Sequence, residues 1–128
     1  MAEINCLIHE TRLKNTGKYM DDDQIRQVIA YIDQNFQQRL SLCHLANTFF
    51  VSKYHLSHEF KRVAGVSVYR YIILRRLSVA KNNLKAGKTP MNACRICGFR
   101  DYANFYRAFK REYGLNPGQY AELWKVDK

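Results

Sequence analysis

Residues Gly98–Pro117 read GFRDYANFYRAFKREYGLNP, and this stretch decides the fold. Phe105 and Phe109 recur at the four-residue spacing of a single helical face, with Glu112 on the same side and Tyr102 and Tyr113 at its edge. Ala103, Arg107 and Lys110 fall opposite, flanked by Asn104, Tyr106 and Arg111. Asp101 stands where a helix needs an N-cap, and Gly114 where a helix stops. Asn116 and Pro117 pair a cap residue with proline at the first position of a further helix. The stretch therefore predicts a turn, a two-faced helix, a stop and a new helix.

The same pattern occurs upstream. A shift of 49 residues brings Phe60-Lys61-Arg62 onto Phe109-Lys110-Arg111, Gly65 onto Gly114, Ser67 onto Asn116 and Tyr71 onto Tyr120. The cap Ser52 then falls on the cap Asp101, and Leu56 on Phe105. In this copy Leu56, Phe60 and Val63 form the apolar side, and Tyr54, Ser57, His58 and Lys61 the other, with His55 and Arg62 flanking. An internal repeat of this length marks a supersecondary unit used twice.

Helix signals fill the rest of the chain. DDDQIRQVIAYIDQNF places Ile25, Val28, Ile29, Ile32 and Phe36 on one face behind an acidic start. SLCHLANTF is capped by Ser41 and runs about two turns. Beyond the cap Ser67 a long segment reaches Gly87 with Ile73, Leu77, Ala80 and Leu84 as its stripe. MNACRIC follows Thr89-Pro90, and a last helix is expected over 118–126. The expected fold is all-α, with seven helices in two helix-turn-helix subdomains, 21–66 and 88–128. A connecting helix at 67–87 joins them, and an extension, 1–20, precedes them.

Charge gives the first functional indication. Residues 1–50 hold five Lys/Arg against six Asp/Glu, whereas residues 51–113 hold fourteen against three. Cations concentrated in this way suit a polyanion, because they release the counterions condensed on phosphates. No apolar run approaches the roughly 20 residues of a bilayer span. MAEINCLIHE lacks the basic start and cleavage site of a signal peptide, so a cytoplasmic location is expected, with no membrane partner. The four cysteines are then expected as reduced thiols. Cys94 and Cys97 form a C-x-x-C, but no second pair or H-x-x-x-H completes a zinc site, so helix packing is the better reading. No P-loop, nucleophile elbow or carboxylate pair stands out. No metal, no cofactor and no catalytic residue is expected, and the chain is not read as an enzyme.

A short helix, a tight turn and a second helix, repeated, is the arrangement that places its second helix in the major groove of DNA. Both outward faces carry polar or aromatic groups early and cations later, the order needed if early positions meet bases and later ones phosphates. A helix over 67–86 spans about 30 Å at 1.5 Å per residue. Successive major grooves on one DNA face lie about 34 Å apart. A rod of that length could serve two grooves from one chain, with Arg70, Arg75, Arg76, Lys81, Lys85 and Lys88 along it.

From about Asp22 to Trp124 the chain closely resembles the DNA-binding domain of the arabinose-regulator (AraC/XylS) transcription factors. CGFRDYANFYRAFKREYGLNPGQY is the most specific part, supported by LANTFFVSKYHLSHEFKRVAGVSVYRYI and RRLSVAKNNL. The resemblance implies two helix-turn-helix units bridged by a long helix, binding to asymmetric double-stranded DNA sites, and activation through contacts with RNA polymerase. Carried over by position, it implies base reading by Tyr54, Ser57 and His58, and by Ala103, Asn104, Tyr106 and Arg107. Phosphate contacts would fall to Ser52, Lys53, Lys61 and Arg62, and to Arg100, Lys110 and Arg111. Three residues depart from the family pattern. Phe50 stands where the first turn commonly has glycine, Cys94 where alanine is usual, and Ala103 can offer only a methyl contact.

Residues 1–20 lie outside the resemblance, with Ile4, Leu7, Ile8 and Thr11 on one helical face. They read either as the N-terminal helix of a small stand-alone activator of the multiple-antibiotic-resistance type, or as the linker end of a longer regulator. In the second reading, which we favour, an effector-binding or dimerisation domain is missing. Two other classes remain as alternatives. One is a DNA-repair alkyl-transfer or thiol enzyme fragment using the same DNA-binding fold through Cys94 or Cys97. The other is a non-specific nucleic-acid-binding protein.

Overall fold

The computed structural model describes residues 20–125. Among them are seven helices and no strand: α1 (Asp22–Asn35), α2 (Leu42–Thr48), α3 (Lys53–Ala64), α4 (Val68–Lys85), α5 (Pro90–Ile96), α6 (Tyr102–Tyr113) and α7 (Pro117–Leu123). None is long and apolar enough to cross a membrane. The stripe expected at Ile4, Leu7, Ile8 and Thr11 lies outside the described residues. Two compact units are present. One takes the described residues up to Asn35 together with Leu40–Ile72; the other takes Phe36–Arg39 and the residues from Ile73 onward.

In the first unit, Ile25, Val28 and Ile32 of α1 meet Leu45 and Ala46 of α2, Leu56 and Phe60 of α3, and Val68 and Ile72 of α4. α1 opens with reciprocal bonds, Asp21 N to Gln24 Oε1 and Gln24 N to Asp21 Oδ1, both 2.8 Å. This satisfies two donors that a helix start otherwise leaves open. Ser41 and Ser52 cap α2 and α3 by accepting from His44 N and His55 N. Between those helices Phe50 adopts φ 57°, the left-handed region, and is 69% exposed. Tyr71 closes the unit, setting its ring edge-on to Phe60 at 5.7 Å and donating its hydroxyl to Asp33 Oδ1 at 2.9 Å.

The second unit is built around Phe105 and Phe109 of α6, packed on Leu77, Ala80 and Leu84 of α4, Ala93 and Cys94 of α5, and Cys97. Aromatic edges continue this core, with Phe99 5.4 Å from Phe105, and Tyr113 and Tyr120 at 4.7 and 5.6 Å from Phe109. Asn116 and Gln119 form a complete capping box at the start of α7. The short segment after α1 joins this unit through Arg76, which donates to Phe36 O at 2.8 Å and Gln38 O at 2.9 Å. Gln37 donates in turn to Ile96 O at 2.9 Å. Gly98, at φ 96°, lies so close that an added Cβ would meet Gln37 Cα at 2.8 Å. Both space and backbone conformation therefore require glycine there.

Three expectations change in detail. Phe36 does not continue the α1 face: the helix ends at Asn35, and its ring lies under the Arg75 guanidinium, 5.5 Å from ring centre to carbon. α4 carries two stripes rather than one, with Val68 and Ile72 in the first core ahead of Leu77, Ala80 and Leu84 in the second. The last helix is Pro117–Leu123, shorter than the 118–126 expected at its far end, with Trp124 as its C-cap.

The repeat is also offset earlier. Ser41 and Thr89, Phe50 and Gly98, and the bonds Val51 N to Ala46 O and Phe99 N to Cys94 O correspond at a shift of 48. Arg100 is the extra residue that moves the shift to 49 from the caps Ser52 and Asp101 onward. Because Phe109 is fully buried at the centre of its core, Phe109→Ala is expected to lower stability by about 3–5 kcal/mol. A melting curve followed at the α6 aromatics checks this.

Candidate nucleic-acid interface

α3 buries Leu56 and Phe60, and the helical period turns Tyr54, Ser57, His58, Lys61 and Arg62 outward. Tyr54 is 68% exposed and stacks on His58 one turn later, ring centres 5.8 Å apart and 11° from parallel. With Lys53 and Leu42, these five outward residues line an open depression of about 720 Å³. Two expected phosphate residues are committed within the unit. Ser52 is 3% exposed, and its hydroxyl accepts from His55 N at 3.1 Å and lies 3.0 Å from His55 Nδ1. Arg62 donates through Nε to Glu59 and through Nη2 to Asp22, each at 2.7 Å. The hydrogen bond from Arg62 holds the Asp22 carboxyl below the usual carboxylate range. The geometry brings Tyr54, Ser57, His58 and Lys61 together and separates Ser52 from them.

α6 buries Phe105 and Phe109 and exposes Ala103, Asn104, Arg107, Lys110 and Arg111, with Arg100 exposed just before its cap. Asp101 caps it by accepting from Ala103 N at 2.9 Å. Arg107 Nη2 donates to the Asn104 side-chain oxygen one turn earlier. Tyr106 is half-buried, and its hydroxyl accepts from Asn116 Nδ2 at 3.0 Å, which ties α6 to the start of α7. Exposed acids are sparse beside these cations: α6 itself holds only Glu112, which is half-buried.

A family model described as a helix-turn-helix domain matches residues 45–122, which takes in both α3 and α6. The chain belongs to the AraC-type helix-turn-helix family. Its similarity to the probable transcriptional regulator LumQ of Photobacterium leiognathi is 26% identity over 118 residues, 91% of this chain and 48% of LumQ. Among solved structures, the C-terminal domain of AraT, a response regulator from Geobacillus stearothermophilus, matches with a TM-score of 0.77 and 26% identity. That match covers 82% of this chain and 88% of the AraT domain. The DNA-binding domain of the transcriptional factor AdpA, solved with a target DNA, shares the fold at a TM-score of 0.74 and 20% identity. There the match covers 78% of this chain and 91% of that one. The chain spans about half the length of the first curated relatives it matches.

Within this AraC-type domain, the cations of α4 are less available than their spacing suggests. Arg76 holds the Phe36–Gln38 carbonyls, Arg75 lies over Phe36, Lys81 stands 5.0 Å from the Tyr113 ring centre and Lys85 4.8 Å from that of Trp124. Long basic side chains lie along aromatic surface in this way wherever their charge can still reach water. Sequence reasoning missed the Arg76 clasp. Its signal was faint: an arginine on the stripe-bearing helix, about 40 residues from the backbone it holds.

Cys94 and Cys97 are buried, and among the described residues no cluster of three His, Cys, Asp or Glu could hold a metal. Burial pushes the Cys97 thiol up to about 12, and burial with the nearby Asp101 charge raises Cys94. The reactive species is the thiolate, so both should be nearly inert at neutral pH. We expect iodoacetamide at pH 8 to modify Cys94 and Cys97 far more slowly in the folded protein than after denaturation. Peptide mass spectrometry reads this directly, and equal rates in the two states would contradict the burial.

Proposed function

We propose that the protein regulates transcription, as an activator, by binding one asymmetric stretch of double-stranded DNA with α3 and α6 in successive major grooves. The observation that carries this reading is the same two-faced helix occurring twice. Each has a fully buried i, i+4 pair on one side and exposed hydrogen-bonding groups followed by cations on the other. α4, 18 residues and about 27 Å long, is of the order of one groove repeat. AdpA, which has the same fold, was solved on a target DNA. In this reading Tyr54, Ser57 and His58 face bases from α3, and Ala103, Asn104 and Arg107 from α6. Tyr106, half-buried and bonded to Asn116, stands at the edge of that face. Lys53, Lys61, Arg100, Lys110 and Arg111 meet phosphates. Arg62 adds to them when Asp22 and Glu59 release it, whereas Ser52 serves the unit as a cap.

The protein acts in the cytoplasm and needs neither cofactor nor catalytic residue. RNA polymerase is the proposed protein partner. The part of the curated relatives that this chain does not match is the proposed place of an effector-binding or dimerisation domain, with residues 1–20 as its linker.

Arg107→Ala should cost about 1–3 kcal/mol on the best site and relax specificity locally, because a guanidinium grips guanine O6 and N7 together. Lys110→Ala should weaken all duplexes alike and lower the salt slope by about one. Binding isotherms across a panel of single-base variants at several salt concentrations separate the two. Identical profiles for both variants would refute this division of roles.

A further inference from the structure

The contact between Asn104 and Arg107 changes what each can read. Arginine has no acceptor, so the group that Asn104 turns towards it must be the carboxamide oxygen, as observed. With that oxygen turned towards Arg107 and one of its two lone pairs taken, Asn104 directs its NH2 group, a pure donor, away from Arg107 and beside the remaining N–H groups of the guanidinium. Both side chains are exposed on the outward side of α6. Tyr106, which lies between them in sequence, is half-buried and turned to Asn116, so its hydroxyl does not face the same way as the pair. Ala103 adds only a methyl group.

Building on the proposed reading of DNA by α6, we propose that Asn104 and Arg107 act as one donor-only unit that reads two consecutive keto bases, guanine beside guanine or thymine. In the major groove guanine offers N7 and O6 and thymine offers O4, all acceptors, whereas adenine and cytosine each present an amino donor. A donor-only surface pairs with both acceptors of guanine and with thymine O4, meets only a donor at cytosine, and at adenine can use N7 alone while facing the N6 amino group. An asparagine acting alone does the opposite: its oxygen and NH2 together match adenine N6 and N7. The clasp thus biases Asn104 from adenine towards keto bases and holds the Arg107 fork beside it. The Ala103 methyl suits a thymine methyl at the same step.

The test is equilibrium binding of the 128-residue protein to its preferred duplex and to variants carrying each base pair at the two adjacent positions read by α6. Keto bases should be preferred at both, with adenine or cytosine beside the guanine weakening binding about ten-fold. Asn104→Ala should erase discrimination at that neighbouring step while the guanine preference persists. Asn104→Asp presents acceptors only and should move the neighbouring preference towards adenine or cytosine. Because Asn104 is exposed, these variants should melt with the wild type, and 7-deazaguanine, which lacks N7, gives a check without mutation by weakening the wild-type complex. A wild-type preference for adenine beside the guanine, or an unchanged profile in Asn104→Ala, would overturn the keto reading while leaving DNA recognition intact. Equal binding to every duplex would overturn both.

Discussion

Burial of an i, i+4 pair on each recognition helix is the interaction on which the rest of the molecule depends. A 12-residue helix such as α3 or α6 is marginal by itself in water, so its existence rests on packing. Leu56 with Phe60, and Phe105 with Phe109, supply that packing and are fully buried. Each such side chain contributes about 1.5–3 kcal/mol. The same contacts fix rotation about the helix axis. Once Phe105 and Phe109 point inward, the helical period leaves Ala103, Asn104, Arg107 and Lys110 no direction but outward. Stability and the make-up of the outward face are two consequences of one placement.

The turns show how the two units reach this arrangement differently. In both, the residue after the C-cap of the first helix takes a left-handed conformation, Phe50 in one and Gly98 in the other. For phenylalanine that conformation costs on the order of 1–2 kcal/mol. In the first turn there is room for the side chain that this conformation carries, and Phe50 is largely exposed. At Gly98 the backbone of Phe36–Gln37 crosses within 3.0 Å of where a side chain would begin. Arg76 and Gln37 hold that crossing segment, so the connection after α1 is part of what shapes the second turn.

Most of this was legible because it was local. Caps at Ser41, Ser52, Ser67, Thr89, Asp101 and Asn116, stops at Gly65 and Gly114, and the alternation of faces within α3 and α6 each depend on a few neighbouring residues. The resemblance to the family was carried by motifs that are local too, above all CGFRDYANFYRAFKREYGLNPGQY, and the match over residues 45–122 bears it out. What stayed hidden depends on contacts between distant residues or on the choice between partners. Phe36 fits the α1 period in the sequence, but the helix ends at Asn35 and Phe36 is held instead by Arg75 over its ring and Arg76 at its carbonyl. Arg62 looks like any late cation until Asp22, 40 residues away, is seen to share it. Asn104 and Tyr106 look alike in the sequence, yet Asn104 is bonded to Arg107 on the exposed face and Tyr106 to Asn116 at the start of α7.

The central claim is that two similar helices of unequal chemistry read one asymmetric DNA site. Selection of bound duplexes from a random-sequence pool tests it most directly. The account predicts a single non-palindromic consensus with two blocks of information whose centres are about one helical turn apart. Recovery of unenriched sequence, or of one short block with no second, would contradict it.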